Sequence, residues 1–299
     1  MESSTIQIIE KSADNTLLYK GKQVKRKIFF LLLYVTALFA EQMSNSEIAK
    51  ASQNPITMIY SLPIQNNSYF GLGDSNEMKN IANFQPVIPM DITDDWDIVW
   101  RLIMPVVTTP GIPATFNENG NVTAFGNATT ALGDTTLSAF LAPKKSGKFI
   151  WGAGAILYIP TATDKALKTK QWGVGPSFVG LRIDGKWTYG ILVMDVFSFG
   201  VDSSVGGKKI DFLQMQPFVN YNMGDGWFLT TVPFITAKWK EKSKDRWTVP
   251  FGGGFGKGFK IGKVPVSATM QAYYNMVKPE TMGEDWQLRL QAQIFFPRK

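Results

Sequence analysis

The chain has 299 residues, of which 44% are hydrophobic and 13% aromatic, with 27 glycines and neither cysteine nor histidine. This composition is too apolar for a disordered chain and too rich in glycine and tryptophan for a helical bundle. The absence of cysteine excludes disulfide frameworks and thiolate metal sites. Residues 1–40 carry six basic and three acidic side chains of the formal net charge of +7. The remaining charge of about +4 is dispersed, and no basic run with interleaved aromatics remains to favour nucleic-acid binding.

The first 40 residues predict an export signal that does not belong to the fold. Basic residues within 20–27 precede the largely apolar run Ile28–Ala40. A basic region, about 7–15 apolar residues and a final small residue are typical of a secretory signal peptide, whereas about 20 residues are needed to span a membrane. Cleavage after Ala37 or after Ala40 fits the pattern, and an N-terminal anchor helix is the alternative. The residues before the basic region form an N-terminal extension.

Residues 41–56 are predicted to form a periplasmic N-terminal segment. Within it, residues 44–56 (SNSEIAKASQNPI) allow a short helix that ends near Pro55. This segment is a candidate plug for the structure that the rest of the chain builds. No apolar run after residue 40 reaches the length of about 18 residues that a membrane-spanning helix needs.

From residue 57 onward the sequence predicts strands separated by turns. We expect twelve, at 57–72, 79–91, 97–107, 132–142, 149–160, 171–183, 186–198, 210–222, 226–239, 245–258, 264–277 and 285–296. The links between them alternate in length. Tight links are expected at 93–96, 143–147, 184–186, 223–226 and 261–263, whereas the intervening links tend to be longer. Short turns on the periplasmic side and longer loops on the outer side are typical of outer-membrane barrels.

The last strand shows the pattern of a membrane barrel most clearly. Along Trp286–Phe296, apolar residues alternate with Gln287, Arg289, Gln291 and Gln293. Successive strand side chains face opposite sides, and about 9–11 tilted residues with one apolar and one polar face cross an outer membrane. Tryptophans near strand ends suit interfacial girdles. They are Trp96, Trp151, Trp172, Trp187, Trp227, Trp239, Trp247 and Trp286.

These patterns predict an all-β fold, a transmembrane antiparallel up-and-down β-barrel of about twelve strands that spans residues 57–299. Its turns are expected to be short on the periplasmic side and its loops longer on the extracellular side. The last strand is then expected to pair with the strand that begins near Thr57. A soluble β-sandwich is the alternative.

Several segments resemble a known family over nearly the whole chain after residue 53. They are Asn54-Pro55, Ser61–Asn67 (SLPIQNN), Asn83–Pro89 (NFQPVIP), Leu132–Thr135 (LGDT), Trp151–Gly154 (WGAG), Pro160–Asp164 (PTATD), Trp187–Gly190 (WTYG), Gln216–Phe218 (QPF), Trp247–Pro250 (WTVP) and Phe296-Pro297. In this order they resemble the outer-membrane barrels of the phenol meta-pathway degradation family, often labelled "transporter". The resemblance implies the outer membrane of a Gram-negative bacterium, with outer-membrane lipid, lipopolysaccharide and the barrel-insertion machinery as partners. It supplies neither an agreed solute nor catalytic residues.

A polar lumen is the candidate functional site. Strand alternation predicts inward side chains at Arg101, Gln214, Gln216, Asn220, Gln271 and Arg289, and charge alone adds Asp134 and Asp195. A charge that faces lipid costs up to about 2–4 kcal/mol at the bilayer midplane, so charges within the membrane band should turn inward. Such groups either pair with one another and fill the interior, or form a constriction that selects solutes by charge and hydrogen bonding.

No catalytic, metal or cofactor site is predicted. Without histidine there is no imidazole general base, so Ser-His-Asp and Cys-His catalysis cannot operate. The glycine-rich stretch Gly252–Gly258 lacks the Ser or Thr that a phosphate loop places after its lysine. We interpret these glycines as strand residues that permit bending or close approach.

The sequence therefore favours a narrow channel for passive or substrate-specific uptake of small solutes. A barrel of about twelve strands lies between side-chain-filled eight-stranded barrels and open sixteen-stranded porins. The family resemblance points to hydrophobic or aromatic solutes. The alternative function is a structural or adhesion barrel with a closed lumen, whose loop 108–131 meets partners. That loop suits a flexible surface loop and an inward-folded constriction equally.

Overall fold

The computed structural model describes residues 43–73, 76–111, 113–116, 118, 122–199 and 209–296. The predicted signal peptide and residues 297–299 lie outside this part of the chain. Within it, no helix combines the length and the apolar character that crossing a membrane requires.

Two short helices and seventeen strands are found among the described residues. The helices are α1 (Asn45–Ser52) and α2 (Ser243–Arg246). The strands are β1 (Tyr60–Leu72), β2 (Glu77–Phe84), β3 (Val87–Asp91), β4 (Trp96–Thr109), β5 (Pro113–Phe116), β6 (Val122–Phe125), β7 (Thr129–Leu132), β8 (Thr135–Pro143), β9 (Phe149–Ile159), β10 (Trp172–Asp184), β11 (Trp187–Phe199), β12 (Phe212–Gly224), β13 (Trp227–Thr231), β14 (Ile235–Lys238), β15 (Trp247–Ile261), β16 (Val264–Val277) and β17 (Trp286–Phe296).

Fifteen of these strands form one closed antiparallel barrel with twelve strand positions, as predicted. Three positions are each shared by two strands because the ladder is interrupted: β2 with β3, β7 with β8, and β13 with β14. The barrel closes where β1 pairs with β17, from Tyr60 opposite Phe296 to Phe70 opposite Trp286. The predicted seam between the last strand and the first is thus confirmed.

Aromatic side chains mark both ends of the barrel. At the end with short turns, the rings of Trp187 and Tyr221 lie 4.8 Å apart, and Trp187 is 49% exposed. At the end with long loops, Tyr274 lies 4.9 Å from Trp286, which is 53% exposed. Exposed aromatics at two levels fit the two lipid–water interfaces of an outer-membrane barrel.

The inner wall is polar on one side and apolar on the other. On β1, β16 and β17 the buried side chains are largely amides and hydroxyls, and for β16 and β17 alternation predicted this. The prediction of a polar lumen is wrong for β8 to β11, where an apolar cluster fills the interior. Its members are Ile56, Val87, Val99, Phe140, Ala142, Ile156, Val179, Leu181, Leu192, Met194, Val196 and Phe218. Apolar side chains can fill an interior without leaving buried polar groups unpaired. Amide side chains can do so only if every amide finds a hydrogen-bond partner.

Helix α1 lies inside the barrel at the end with short turns. Ser44 and Glu47 form a capping box that satisfies backbone N–H groups at its start. Ile48 and Ala49 are fully buried. The helix packs on β15, where a side chain at Gly258 would lie 2.6 Å from backbone atoms of the helix. This is the position expected of a plug, and its effect on transport stays a prediction.

The glycines of β15 explain how a helix fits there. Gly252, Gly254, Gly256 and Gly258 pair with the inward residues Tyr273, Gln271, Thr269 and Ser267 of β16, so all four face the lumen. Their lack of side chains leaves an uncovered backbone surface. The interpretation of the glycine-rich stretch as a site of close approach is therefore confirmed at Gly258.

The long loop after β4 forms a hairpin of its own. β5 and β6 pair with each other in a separate two-stranded sheet. The Thr115 and Thr123 hydroxyls are 2.8 Å apart, and both side chains are exposed. An exposed hairpin favours the surface-loop interpretation of residues 108–131 over an inward constriction.

Candidate functional site

A cavity of about 100 Å³ lies inside the barrel beside the C-terminal end of α1. Its walls bring together five of the eight residues that the sequence singled out: Arg101, Gln216, Asn220, Gln271 and Arg289. Lining residues that sequence reasoning did not single out include Gln53, Gln65, Gln85, Phe218, Phe228 and Val232. Whether any of them contacts a solute stays a prediction.

Arg289 is the most deeply buried charge of the cavity wall, with 2% of its surface exposed. Its Nε donates to Asn67 Oδ1 at 3.1 Å, and its Nη1 donates to the Val232 carbonyl at 2.7 Å. The guanidinium also stacks on the Phe234 ring, with 4.0 Å between Cζ and the ring centroid. All these partners are neutral, and Nη2 has no hydrogen-bond partner among the described residues.

The Val232 carbonyl that accepts from Arg289 belongs to a chain segment that interrupts the barrel ladder. β13 ends at Thr231 and β14 begins at Ile235, so residues 232–234 leave the strand pairing. Pro233 has no N–H and cannot donate to a ladder, which explains an interruption here. The freed Val232 N–H donates instead to the Tyr273 hydroxyl at 2.8 Å. The break therefore turns backbone groups toward the lumen, where Arg289 uses one of them.

Arg101 faces the same cavity from β4. Its Nη2 donates to Gln85 Oε1 at 2.9 Å, and its side chain is half-buried. Gln85 stands at the break between β2 and β3, where its N–H bonds the Pro63 carbonyl. The sequence did not indicate that Gln85 would face inward at a break, because one continuous strand was predicted at 79–91.

The amides of the cavity are only partly engaged. Gln271 donates to the Thr230 hydroxyl at 3.2 Å and accepts from the Tyr273 hydroxyl at 3.1 Å. Asn220 donates to the Thr188 carbonyl at 3.3 Å. The buried Oε1 of Gln216 finds no donor within the described chain. Gln214 lies on the same inner face of β12, two residues away, but does not line the cavity.

Asp195 contradicts the sequence prediction, because it does not face the lumen. On β11 the inward residues include Leu192 and Val196, which are almost fully buried, whereas Asp195 shares the outer face with the exposed Phe197. Its carboxylate accepts a hydrogen bond from the indole N–H of Trp239 at 2.9 Å. An aromatic N–H donor on the neighbouring part of the barrel thus stabilises a charge that was expected to turn inward.

Asp134 lies in the break between β7 and β8 rather than within a strand. It accepts hydrogen bonds from the Tyr158 hydroxyl, the Ala162 N–H and the Thr169 hydroxyl at 3.0, 2.9 and 2.6 Å. These contacts hold the loop between β9 and β10 against the barrel rim. We assign Asp134 a positioning role at the mouth.

A second cavity, of about 580 Å³, opens among the long loops. Six lysines line it, Lys165, Lys168, Lys170, Lys209, Lys238 and Lys240, against the two carboxylates Asp211 and Glu241. Burial opposes ionisation of Asp211, but hydrogen bonds from Ser198 and the nearby Lys240 ammonium hold the pKa of Asp211 below its ordinary value. Asp211 is therefore ionised at neutral pH, and six lysines against two carboxylates still leave this mouth net positive.

Acidic residues do not build a metal site in the part of the chain that the structure describes. No three Asp or Glu side chains converge there at ligand distance. The arrangement of the cavity suits reversible binding through hydrogen bonds and charge.

No family model matches the sequence, and neither does any curated protein. The structure resembles the COG4313 outer membrane channel from Pseudomonas putida F1, with a TM-score of 0.62 at 17% identity over 80% of this chain and 96% of that chain. It is also similar to outer membrane phospholipase A from Escherichia coli (TM-score 0.41, 12% identity, 85% and 98% covered). The TodX monoaromatic hydrocarbon channel gives a TM-score of 0.41 at 9% identity, with 82% and 93% covered. The first likeness shows that this chain has the fold of an outer-membrane barrel, and membership of the phenol meta-pathway family stays a prediction.

Proposed function

We propose that this protein is a channel of the Gram-negative outer membrane that admits small solutes through a narrow, plugged lumen. The observation that carries the proposal is the polar cavity enclosed by a closed barrel, with Arg101 and Arg289 in its wall. A barrel that served only as a scaffold has no need of buried charges in its interior, because such charges are costly to desolvate.

The arrangement of the two cavities supports a route along the inner face of β12. Phe212 lines the basic mouth, and Gln216, four residues further, lines the inner cavity. At about 3.3 Å per residue these side chains are roughly 13 Å apart along the strand. Helix α1 lies beyond the inner cavity, so its displacement completes the route to the periplasm.

Single-channel recording in planar bilayers tests the function. The full chain is expected to give small, infrequent conductance steps, and deletion of residues 41–56 is expected to make them larger and more frequent. Deletion of the hairpin at residues 113–125 is the matched control, because it removes a similar length outside the barrel sheet. If all three proteins remain silent, the channel function is wrong.

The exposed hairpin of β5 and β6 favours a second candidate, a structural or adhesion barrel. In that case deletion of residues 113–125 abolishes binding to a surface partner, and conductance is absent with and without α1. Membrane location is tested separately by detergent extraction and heat-modifiable gel migration. A protein that is extracted without detergent would contradict both candidates.

A further inference from the structure

The inner cavity contains more positive charge than its own residues balance. Arg101 and Arg289 both line it. Within the described residues, neither guanidinium forms an ion pair with a carboxylate; the ion pairs found there involve Arg182 and several lysines. Truly buried charges are normally paired or coordinated, because an isolated charge loses its hydration without compensation.

Arg289 also has unused hydrogen-bonding capacity of a particular shape. A guanidinium carries five N–H donors in a planar fork that matches the two oxygens of a carboxylate. In Arg289 the Nε and Nη1 donors reach neutral oxygens, whereas buried Nη2 has no partner among the described residues. An anion in the cavity would supply the missing acceptor and the missing negative charge together.

The rest of the wall indicates what the anion carries. Beside the arginines stand apolar side chains, among them Pro63, Val87, Phe218 and Phe228. The cavity volume is about 100 Å³, and each water needs about 10–15 Å³ of such volume, so the cavity holds several waters or one compact organic molecule. The wall combines two cationic side chains with neutral amides and hydroxyls and with several apolar side chains, and this mixture fits an amphiphilic anion better than an inorganic one.

The mouth of the barrel favours the same class of solute. Its six lysines face two carboxylates, and one of these, Asp211, lies 3.2 Å from Lys240. A cleft lined by one sign of charge concentrates ligands of the opposite sign and speeds their capture. Anions are thus attracted at the rim and compensated inside.

We propose that the inner cavity, between Arg101 and Arg289, binds the carboxylate of a small organic acid whose compact apolar body packs on the facing wall. This inference rests on the proposed function, since it names the class of solute that the channel admits. The carboxylate lies against the guanidinium donors, and the apolar body lies toward Val87 and Phe218. No bond is made or broken.

Isothermal titration calorimetry on the full protein in detergent tests the site with three probes: sodium benzoate, benzyl alcohol and sodium nitrate. Benzoate is expected to bind at least about tenfold more tightly than either other probe, because only benzoate offers both the charge and the apolar ring. Arg289→Met and Arg101→Met are each expected to weaken benzoate binding by at least about tenfold. Arg182→Met, which removes an exposed arginine at the short-turn end of the barrel, is the matched control and keeps the wild-type affinity.

Three outcomes overturn the inference. They are equal binding of benzoate and benzyl alcohol, equal binding of benzoate and nitrate, and wild-type benzoate affinity in both lumen variants. If Arg289→Met does not fold, Arg101→Met decides, because Arg101 is less deeply buried than Arg289 and tolerates replacement better. Binding in detergent does not depend on conductance. Benzoate binding by a silent protein would therefore refute the channel alone, and conductance without benzoate binding would refute the solute class alone.

Discussion

Replacement of Gly258 by alanine is expected to loosen the helix inside the barrel. A Cβ at this position would lie 2.6 Å from the Ala49 nitrogen and 2.6 Å from the Asn45 carbonyl oxygen, whereas ordinary contact begins near 3.4 Å. Both obstructing atoms belong to the helix backbone, so no side-chain rotation relieves the overlap. The helix must shift by at least about 0.8 Å away from β15.

The size of the effect follows from the strength of the anchoring. Forcing an extra methyl into a packed interface costs about 1–3 kcal/mol. Two features oppose displacement of the helix. Ile48 is buried, and Gln53 and Asn222 form a reciprocal amide pair in which each donates to the other, at 2.9 and 3.2 Å. Each such hydrogen bond contributes a net ~0.5–1.5 kcal/mol. The alanine therefore weakens the plugged state without abolishing it, and a cost of about 1–3 kcal/mol changes the ratio of open to plugged protein by roughly 5- to 150-fold.

Open probability in single-channel recordings measures this ratio. Gly180→Ala is the control, because a Cβ there would meet only ring atoms of Phe178 and Phe149 at 3.2 and 3.3 Å, and those rings can move. Asn222→Ala provides an independent route to the same result, since it removes the amide pair and leaves β15 unchanged. If Gly258→Ala keeps the wild-type open probability while deletion of residues 41–56 raises it, the contact between the helix and β15 does not control the plug.

Two further predictions concern the long-loop end. Trp239→Phe removes the hydrogen bond to the Asp195 carboxylate. It is expected to lower the free energy of unfolding by about 1.5–3 kcal/mol. Urea titration in lipid vesicles measures this change, and Trp247→Phe is the control. The backbone N–H of Thr281 donates to Asp245 and lowers the pKa of Asp245 below its ordinary value of 3.8. This link between two loops is therefore fully present above pH 3.8 and is lost as the pH falls through the lowered pKa of the folded state. Amide exchange at Thr281 should accelerate in that window, and Asp245→Asn should remove the pH dependence.

The barrel was predictable because a strand with one apolar face and one polar face alternates apolar and polar residues along the sequence. β16 and β17 keep that alternation along their whole length, and the structure reproduces their inward residues. On β11 the inner face is apolar as well, with Leu192 and Val196 buried. An apolar inner face removes the alternation, so Asp195 was assigned from its charge alone and the assignment was wrong.

The composition of the cavity was less accessible to sequence reasoning, because much of it comes from interruptions of the strands. Gln85 enters the wall between β2 and β3, and Val232 enters it between β13 and β14. Pro86 and Pro233 follow these residues and are the only local sign of the breaks. A proline shows that a ladder hydrogen bond is missing, but the partner that takes over the freed backbone group is set by tertiary contacts.

The same reasoning explains how a barrel of this size encloses both a helix and a polar cavity. Small barrels are filled by their own side chains, and here the apolar cluster fills one side of the lumen. On the other side, the inner face of β15 lacks side chains at its glycines and leaves room for α1. The cavity bordered by Arg101 and Arg289 lies between the apolar cluster and α1, and it is too small for a diffusion pore. In the proposed channel, a passing solute therefore contacts both the arginines and the apolar side chains of the wall. Selectivity of that channel would follow from this narrow contact, and displacement of α1 would let the selected solute leave.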